Sequence, residues 1–323
     1  MKHKIVLLLL TTLFICSCKK DEFELKNATS ITSGVSTTLK SILFINRDTG
    51  YIVGGSIFDE STIIQTQDGG ETWLPMQIQN NPKKIIESVI ATTQKLYAVG
   101  LDGKIYFNEK NNILWDFHQN IYWEWMRDLA ITAPNNLLII AGRGWELGTI
   151  YMLDSNFVQI NKTEYPFELC DILEVNETDY LISGYGSILI SEDKGTNWKY
   201  TNAKGDYFKK MCKIGRNEVW ACGYNGSIIH SKDGGKNWYK SRNGNNPTLK
   251  KHHFNSICFT DENTGFVVGD NGTILFTKDK GKNWNITKKL TDNDLYDIKA
   301  INKQELLVIG DKGTIFKLTI SNF

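Results

Sequence analysis

The sequence predicts an all-β protein, a seven-bladed β-propeller of four-stranded antiparallel blades whose ring is closed by an N-terminal strand. The eight-residue pattern S/T-x-D-x-G-x-T/N-W occurs four times, at residues 66–73, 191–198, 231–238 and 277–284. An aromatic or aliphatic run that ends in glycine recurs at intervals of 39 to 46 residues. This period is typical of propeller blades, whereas helical repeats would place apolar residues three and four positions apart, a spacing that we do not find.

The eight-residue pattern is interpreted as the end of a strand, a turn and the start of the next strand. In residues 231–238, Asp233 can accept hydrogen bonds from turn amides, Gly235 can take a positive φ, and Trp238 can bury a large ring. The equivalent aspartates are Asp68, Asp193, Asp233 and Asp279. We expect them to be structural, on turns between third and fourth strands at the periphery of the propeller, and not catalytic.

Seven glycine landmarks predict seven blades. They are Gly54, Gly100, Gly142, Gly184, Gly223, Gly269 and Gly310. The second and third blades lack an intact pattern, because residues 108–115 keep a tryptophan without the Asp–Gly core and residues 151–157 have no tryptophan. The last repeat, residues 294–320, contains three strands. The polar, strand-compatible residues 27–38 are therefore expected to supply its outer strand, which would remove an exposed sheet edge.

The four patterns and the repeat length resemble the photosystem II stability/assembly factor family of seven-bladed propellers, whose repeats carry sialidase-type Asp-boxes. The resemblance covers nearly all of the chain after the first forty residues. It implies a propeller that binds a partner through a basic patch, which Arg127 and Arg143 would match loosely. Asp-boxes also occur in glycosidases, adhesins and receptors, so the pattern specifies the fold more closely than the function.

Residues 1–17 are interpreted as a bacterial lipoprotein signal peptide. Lys2 and Lys4 give a positive start, and an apolar stretch that is too short to span a membrane follows them. The sequence Ile-Cys-Ser-Cys then resembles a lipobox, so we expect cleavage before Cys18 and lipidation of that residue.

This interpretation divides the chain into three segments: a signal peptide (1–17), a lipidated cysteine with a tether and closing strand (18–38), and a propeller (39–323). Several acyl chains on one cysteine anchor a protein firmly without taking it into the bilayer. We therefore expect a secreted protein that is lipid-anchored to the cell envelope, on the outer membrane, facing either the periplasm or the surface. We expect it to be a monomer.

The charge and cysteine content predict no nucleic-acid partner, no metal and no cofactor. The chain has 37 basic and 36 acidic side chains, and loss of Lys2 and Lys4 leaves a near-neutral mature protein. The cysteines beyond the tether form no CxxC pair, and the adjacent His252 and His253 would point to opposite faces of a strand. Cys212 and Cys222 lie on neighbouring predicted strands, as free thiols or as a disulfide.

One position in the first strand of each repeat is expected to lie at the mouth of the central channel. These residues are Ser41, Ser88, Asp128, Asp171, Lys210, Ser256 and Asp297. Three carboxylates and a lysine there either bind a cation or polar ligand, or form hydrogen bonds between adjacent blades.

A recognition rim is predicted on the same face. The third repeat contributes Trp123, Trp125, Arg127, Arg143 and Trp145, and later repeats place Tyr185, Tyr207, Tyr224 and Lys209 in matching loops. Aromatic rings and guanidinium groups are favoured at surfaces that bind peptides or sugars. The alternative is that some of these tryptophans pack between blades.

The predicted function is a non-catalytic binding module for a protein or peptide, in the assembly or stability of an envelope complex. A sialidase needs three converging arginines, and the five in this chain are too dispersed along the repeats. The alternative is a glycoside hydrolase, with a carboxylate pair among Glu124, Asp128 and Asp171, or a carbohydrate-binding propeller of similar architecture. A purely scaffolding module is a third hypothesis.

Overall fold

The computed structural model describes residues 27–109, 112–132 and 135–320. The predicted signal peptide and Cys18 lie outside the described residues. The described strands form six sheets in a propeller. The prediction of seven blades is therefore wrong, although the all-β propeller architecture is confirmed.

The first three sheets follow one another along the chain after β1 (Asn27–Ser30). Sheet 1 contains β2 (Thr38–Phe44), β3 (Gly50–Gly55), β4 (Ser61–Thr66) and β5 (Leu74–Pro75). Sheet 2 contains β6 (Gln77–Ile78), β7 (Ile86–Ala91), β8 (Lys95–Gly100), β9 (Lys104–Glu109) and β10 (Leu114–Gln119). Sheet 3 contains β11 (Trp125–Thr132), β12 (Asn136–Arg143), β13 (Leu147–Leu153) and β14 (Gln159–Tyr165).

The remaining three sheets complete the ring. Sheet 4 contains β15 (Leu169–Glu174), β16 (Tyr180–Ser191), β17 (Lys199–Ile214), β18 (Glu218–Gly223), β19 (Ile228–Ser231) and β20 (Tyr239–Arg242). Sheet 5 contains β21 (Phe254–Phe259), β22 (Gly265–Gly269), β23 (Thr273–Thr277) and β24 (Asn285–Ile286). Sheet 6 contains β25 (Leu295–Ala300), β26 (Glu305–Gly310) and β27 (Ile315–Thr319), with β1 outermost.

The sheet count falls below the repeat count because β17 is continuous. Its first half pairs with β16, where Tyr200 lies opposite Leu189, and its second half pairs with β18, where Met211 lies opposite Ala221. The fourth and fifth repeats are thereby joined in one six-stranded sheet.

Helical structure in the described residues is limited to three single 3₁₀ turns, Leu101–Gly103, Gly144–Glu146 and Asp311–Gly313. Each links the second and third strands of a repeat. None of the described segments is a helix with the length and apolar character needed to cross a membrane.

The ring is closed where sheet 1 meets sheet 6. Leu39, Ile52 and Trp73 pack in one buried cluster with Leu307 and Ile309. Strand β1 pairs antiparallel with β27 and gives sheet 6 the fourth strand that the last repeat lacks. The strands nearest the axis contact one another in a closed cycle, in the order β2, β7, β11, β15, β17, β21, β25 and again β2.

The eight-residue pattern forms the turn that its residues predict. Asp233 accepts hydrogen bonds from Ser231 Oγ, the Asn237 main-chain N–H and Asn237 Nδ2 at 2.7–2.9 Å. Gly235 has a φ of +91°, and a β-carbon there would overlap Leu181. Trp238 is buried and donates its indole N–H to the Gly235 carbonyl.

The other three patterns repeat these contacts. Their aspartates, Asp68, Asp193 and Asp279, accept hydrogen bonds from the Ser or Thr two residues before and from the residue four positions after. Three of the turns follow the third strand of a repeat, namely β4, β19 and β23, and the turn at residues 191–198 follows the long strand β16.

Candidate binding site at the channel mouth

A β-bulge interrupts the first strand of every one of the seven sequence repeats. In each strand one residue has no partner on the second strand. These bulged residues are Lys40, Glu87, Arg127, Cys170, Lys209, Asn255 and Tyr296. All of them line a cavity of about 550 Å³ at the axis of the propeller, which we call the channel mouth. A bulge re-aims a side chain relative to the regular alternation of a strand, so each repeat presents one side chain to the channel mouth. We call these seven residues the bulge ring.

The bulges explain five of the seven glycine landmarks, which lie against the carbonyl two residues before a bulged residue: Gly54, Gly100, Gly184, Gly269 and Gly310. Gly269 lies opposite Phe254, immediately before a bulge, and a β-carbon on Gly269 would overlap the carbonyl oxygen of His253. Gly310 is placed in the same way against the carbonyl of Asp294. The backbone therefore approaches closely at these positions, and a side chain would push the bulged strand away.

The residues that follow the bulge ring are the channel-mouth positions predicted from the sequence, and three of them join neighbouring repeats. One carboxylate oxygen of each aspartate accepts a main-chain N–H from the next repeat. These contacts are Asp128 with Ile172 at 2.8 Å, Asp171 with Met211 at 2.8 Å, and Asp297 with Ile42 at 3.0 Å. The aspartates therefore have a structural role between repeats, the second of the two interpretations that the sequence left open.

The second oxygen of two of these carboxylates is also used. Ser88 Oγ donates to Asp128 Oδ1 at 2.5 Å, and Ser256 Oγ donates to Asp297 Oδ1 at 2.7 Å. All four side chains are buried. Buried polar groups need such partners, and these carboxylates have them.

Lys210 places a positive charge beside two of these buried aspartates. Its Nζ lies 2.6 Å from Asp171 Oδ1 and 3.9 Å from Asp128 Oδ2. Burial raises the pKa of Asp171, Lys210 lowers it, and Asp128 raises it again, with a net increase. Burial alone would lower the pKa of Lys210, but Asp171 and Asp128 together raise it. Within the described residues, no group of three or more His, Cys, Asp or Glu side chains is arranged to hold a metal ion.

Arg127 lies in the wall of the channel mouth in an ion-pair network. Its guanidinium lies 2.5 Å from Glu168 and 4.0 Å from Glu87, and its central carbon lies 4.0 Å from the centroid of Trp125. The Trp125 indole N–H donates to Glu87 Oε1 at 3.0 Å. Trp125 is therefore held by the same network, and the charge of Arg127 is balanced within the protein.

A curved row of aromatic side chains follows the channel mouth from the third repeat to the sixth. We call it the aromatic arc, and its members are Trp145, Tyr185, Tyr207, Tyr224 and His253. Centroid distances between neighbours are 5.3–5.6 Å among Trp145, Tyr185 and Tyr207. Tyr224 lies 6.4 Å from Tyr207 and stacks on His253 at 4.0 Å. Trp145 and Tyr185 are about half exposed, at 57% and 49%.

Two acidic residues, Asp270 and Asp294, line the channel mouth beside the sixth-repeat end of the aromatic arc, and we call this part of the lining the acidic end. Asp270 accepts hydrogen bonds from Asn255 Nδ2 at 2.8 Å and lies 3.1 Å from His253 Nδ1. Asp294 accepts from the main-chain N–H of Asn271 at 2.7 Å. Burial raises the pKa of Tyr296, and the nearby carboxylates, including those of Asp294 and Asp270, raise it further.

The predicted rim is divided by the structure. Trp125, Arg127 and Trp145 line the channel mouth, whereas Trp123 and Arg143 do not. Trp123 is 68% exposed and lies 5.4 Å from Lys104 Nζ.

Five residues that line the channel mouth were not predicted from the sequence: Glu87, Glu168, Asp270, Asp294 and Tyr296. Four of them lie a short distance before a predicted channel-mouth position. Glu87 and Tyr296 directly precede predicted channel-mouth positions, and Glu168 and Asp294 lie three residues before them.

The carboxylates considered for a glycoside hydrolase have other partners. Asp128 and Asp171 hold neighbouring repeats together, and Glu124 accepts a hydrogen bond from the Tyr151 hydroxyl at 2.9 Å. A hydrolytic pair needs one carboxyl group to transfer a proton and another to face the sugar or a water molecule. The contacts of these three residues do not favour that chemistry.

The four cysteines in the described residues, Cys170, Cys212, Cys222 and Cys258, are free thiols. Burial raises the pKa of each of them. Cys212 and Cys222 are therefore free thiols in the structure and not a disulfide.

The comparisons with known proteins agree with this fold. The family described as Photosynthesis system II assembly factor YCF48 matches residues 207–277 and, in an overlapping match, residues 246–319. A search of curated proteins finds no match.

Solved structures match nearly the whole chain. The structure of YCF48 bound to D1 peptide is 18% identical, with a TM-score of 0.69, over 91% of this chain and 96% of that one. YCF48 from Cyanidioschyzon merolae is 14% identical, with a TM-score of 0.69, over 92% and 99%. Streptogramin B lyase is 11% identical, with a TM-score of 0.70, over 91% and 98%. The chain is thus similar in fold to these propellers, and the shared fold alone does not give it the activity of any of them.

Proposed function

We propose that this protein is a non-catalytic propeller that binds a segment of a protein or peptide partner in the channel mouth. The observation that carries the proposal is the bulge ring beside the aromatic arc. Seven bulges present side chains to one cavity, and half-exposed rings of Trp145 and Tyr185 extend from it. Aromatic side chains supply much of the binding energy at protein interfaces.

Two further points support a binding role. Asp128, Asp171 and Asp297 are committed to contacts between repeats, so these three carboxylates are not placed as hydrolysis would require. One of the structurally similar proteins is YCF48 bound to D1 peptide.

The cellular setting is part of the proposal. The predicted signal peptide and lipobox support a lipid-anchored monomer on the cell envelope, where the propeller would assist assembly or stability of an envelope complex. Metabolic labelling with an alkyne fatty acid would test the anchor. We expect labelling of the full-length protein and its loss in Cys18→Ala, and labelling that persists in this variant would contradict lipidation at Cys18.

Binding is tested with the chain from residue 19 to 323, which keeps every described strand, on an array of capped random nonapeptides and on a glycan array. We expect peptide binding, which Trp145→Ala weakens at least tenfold because a half-exposed ring at the cavity is lost. Trp123→Ala is the matched control, since Trp123 is exposed but lies outside the cavity.

The alternative, a carbohydrate-binding propeller, is favoured by the same exposed rings, since sugars also stack on aromatic side chains. Binding to glycans alone would contradict the peptide proposal. Peptide binding that Trp123→Ala and Trp145→Ala weaken equally would contradict the placement of the site.

A further inference from the structure

We propose that the channel mouth selects segments that carry a lysine or arginine, and that Asp270 and Asp294 receive this cationic side chain. The inference rests on the proposed function and specifies its ligand. It is carried by the charges that line the cavity, by the partners that those charges already have, and by the aromatic rings beside them.

The lining of the channel mouth is net acidic. Six carboxylates and four cationic side chains line it, which gives a formal charge of −2. A cavity lined by an excess of one sign concentrates the opposite charge.

The four cations are each held by a group of the protein. Arg127 pairs with Glu168, and Lys210 pairs with Asp171. Lys40 Nζ lies 3.9 Å from the ring centroid of Tyr296, and Lys209 Nζ lies 4.4 Å from that of Tyr207.

The acidic end differs from the rest of the lining. Asp270 and Asp294 accept hydrogen bonds from the Asn255 amide and the Asn271 main-chain N–H. Within the described residues, no Lys or Arg nitrogen forms a salt bridge with either carboxylate. His253, at 3.1 Å from Asp270, is the titratable group that faces it. Carboxylates that no Lys or Arg nitrogen already occupies keep their capacity to accept charge-assisted hydrogen bonds.

The aromatic arc leads to this acidic end. His253 contacts both Asp270 and the ring of Tyr224, so the arc and the carboxylates are continuous. Rings beside carboxylates suit a lysine or arginine side chain, because the ring faces attract cations and the carboxylates accept their N–H groups.

The test uses the array of capped nonapeptides and the variant Asp270→Asn/Asp294→Asn, which keeps side-chain shape. We expect peptides bound by the parent to be enriched in lysine and arginine, and the enrichment to disappear in the variant. Asp116→Asn, which changes an exposed side chain on β10 of sheet 2, is the matched control and should retain the enrichment.

A second measurement gives the magnitude. In the tightest peptide, replacing its basic residue with norleucine should weaken binding to the parent about tenfold, in line with the loss of a hydrogen bond between charged groups. The same replacement should leave binding to the double variant nearly unchanged. Raising the salt concentration should weaken parent binding more than variant binding.

The outcomes separate this inference from the proposed function. The inference is overturned if the bound peptides are not enriched in lysine and arginine, or if norleucine weakens binding equally in the parent and in the double variant. Either result leaves the proposal of peptide binding in place. A parent that binds no peptide, or binds glycans only, overturns both.

Discussion

Asp297 Oδ2 accepts a hydrogen bond from the main-chain N–H of Ile42 at 3.0 Å, and this contact joins the last repeat to the first. The other oxygen of Asp297 accepts from Ser256 Oγ and from the Ile298 main-chain N–H. One buried carboxylate therefore connects three consecutive repeats at the point where the ring closes.

Asp297→Ala should lower the free energy of unfolding by about 3 kcal/mol, because it leaves buried donors on Ile42, Ile298 and Ser256 without their acceptor. Urea denaturation of the chain from residue 19 measures the change. Asp292→Ala, whose side chain is 93% exposed, is the control and should unfold like the parent. Equal stability of the two variants would show that the ring is closed by other contacts.

Strand β1 gives a second prediction about closure. A chain that starts at Ser36 lacks β1, so four residues of β27 lose their pairing partners. A chain that starts at Asn27 keeps this pairing. The shorter chain should melt several degrees below the longer one, because the edge of β27 becomes exposed and the packing of Ala28 is lost. Equal melting temperatures would contradict a closing role for β1.

Lys210→Met should destabilise the protein by about 3 kcal/mol at neutral pH, since it leaves two buried carboxylates without their cation. The loss should grow as the pH rises from 5 to 8. The pKa of Asp171 is raised in the folded protein, so its ionisation opposes folding, and Lys210 no longer offsets this in the variant.

The pH dependence has its own control. In Lys210→Met/Asp171→Asn the carboxyl group that titrates is absent, while the amide oxygen can still accept from Met211. Its stability should be nearly constant from pH 5 to 8 in urea unfolding. A deficit in Lys210→Met that does not vary with pH would exclude titration of Asp171 in this range.

The Asp-box turns predict part of the acid sensitivity. Hydrogen bonds from the Thr72 side chain and main chain lower the pKa of Asp68 to about 2, below its usual value of 3.8. A lowered pKa stabilises the folded state above pH 4, and this contribution is lost as the pH falls to about 2. Because Asp68 is exposed, we expect only about 0.5 kcal/mol after solvent screening.

Asp68→Asn should therefore lose less stability than the parent between pH 4 and pH 2 in urea unfolding experiments. Asp116→Asn, which removes an exposed charge elsewhere, controls for net charge. If the free energy of unfolding falls equally between pH 4 and pH 2 in Asp68→Asn and in the parent, this aspartate contributes nothing to acid unfolding.

The repeats could be predicted from the sequence because each one carries residues with a local physical reason. Asp233, Gly235 and Trp238 specify a turn by themselves, and Gly269 and Gly310 mark close approaches of the backbone. The number of sheets could not be predicted in this way. Residues 199–214 contain no proline to end a strand, and whether β17 continues from one repeat into the next depends on hydrogen bonds to two different partners.

The channel mouth was predicted less well than the fold. The sequence indicated the residues that follow each bulge, such as Asp128, and left open whether they bind a ligand or join repeats. It did not indicate that the preceding residue, such as Arg127, lines the cavity. A bulge changes the alternation of a strand by one residue, and periodicity alone does not locate it. The separation of Trp145 from Trp123 likewise depends on loop geometry.

The most direct test of the account is site-specific photo-crosslinking with the tightest array peptide. Tyr185→p-benzoylphenylalanine places the reactive group on the aromatic arc, and Tyr239→p-benzoylphenylalanine places it on β20 at a comparably exposed peripheral site. We predict that the peptide crosslinks at position 185 and not at position 239. Crosslinking at position 239 alone, or equally at both positions, would contradict a binding site at the channel mouth.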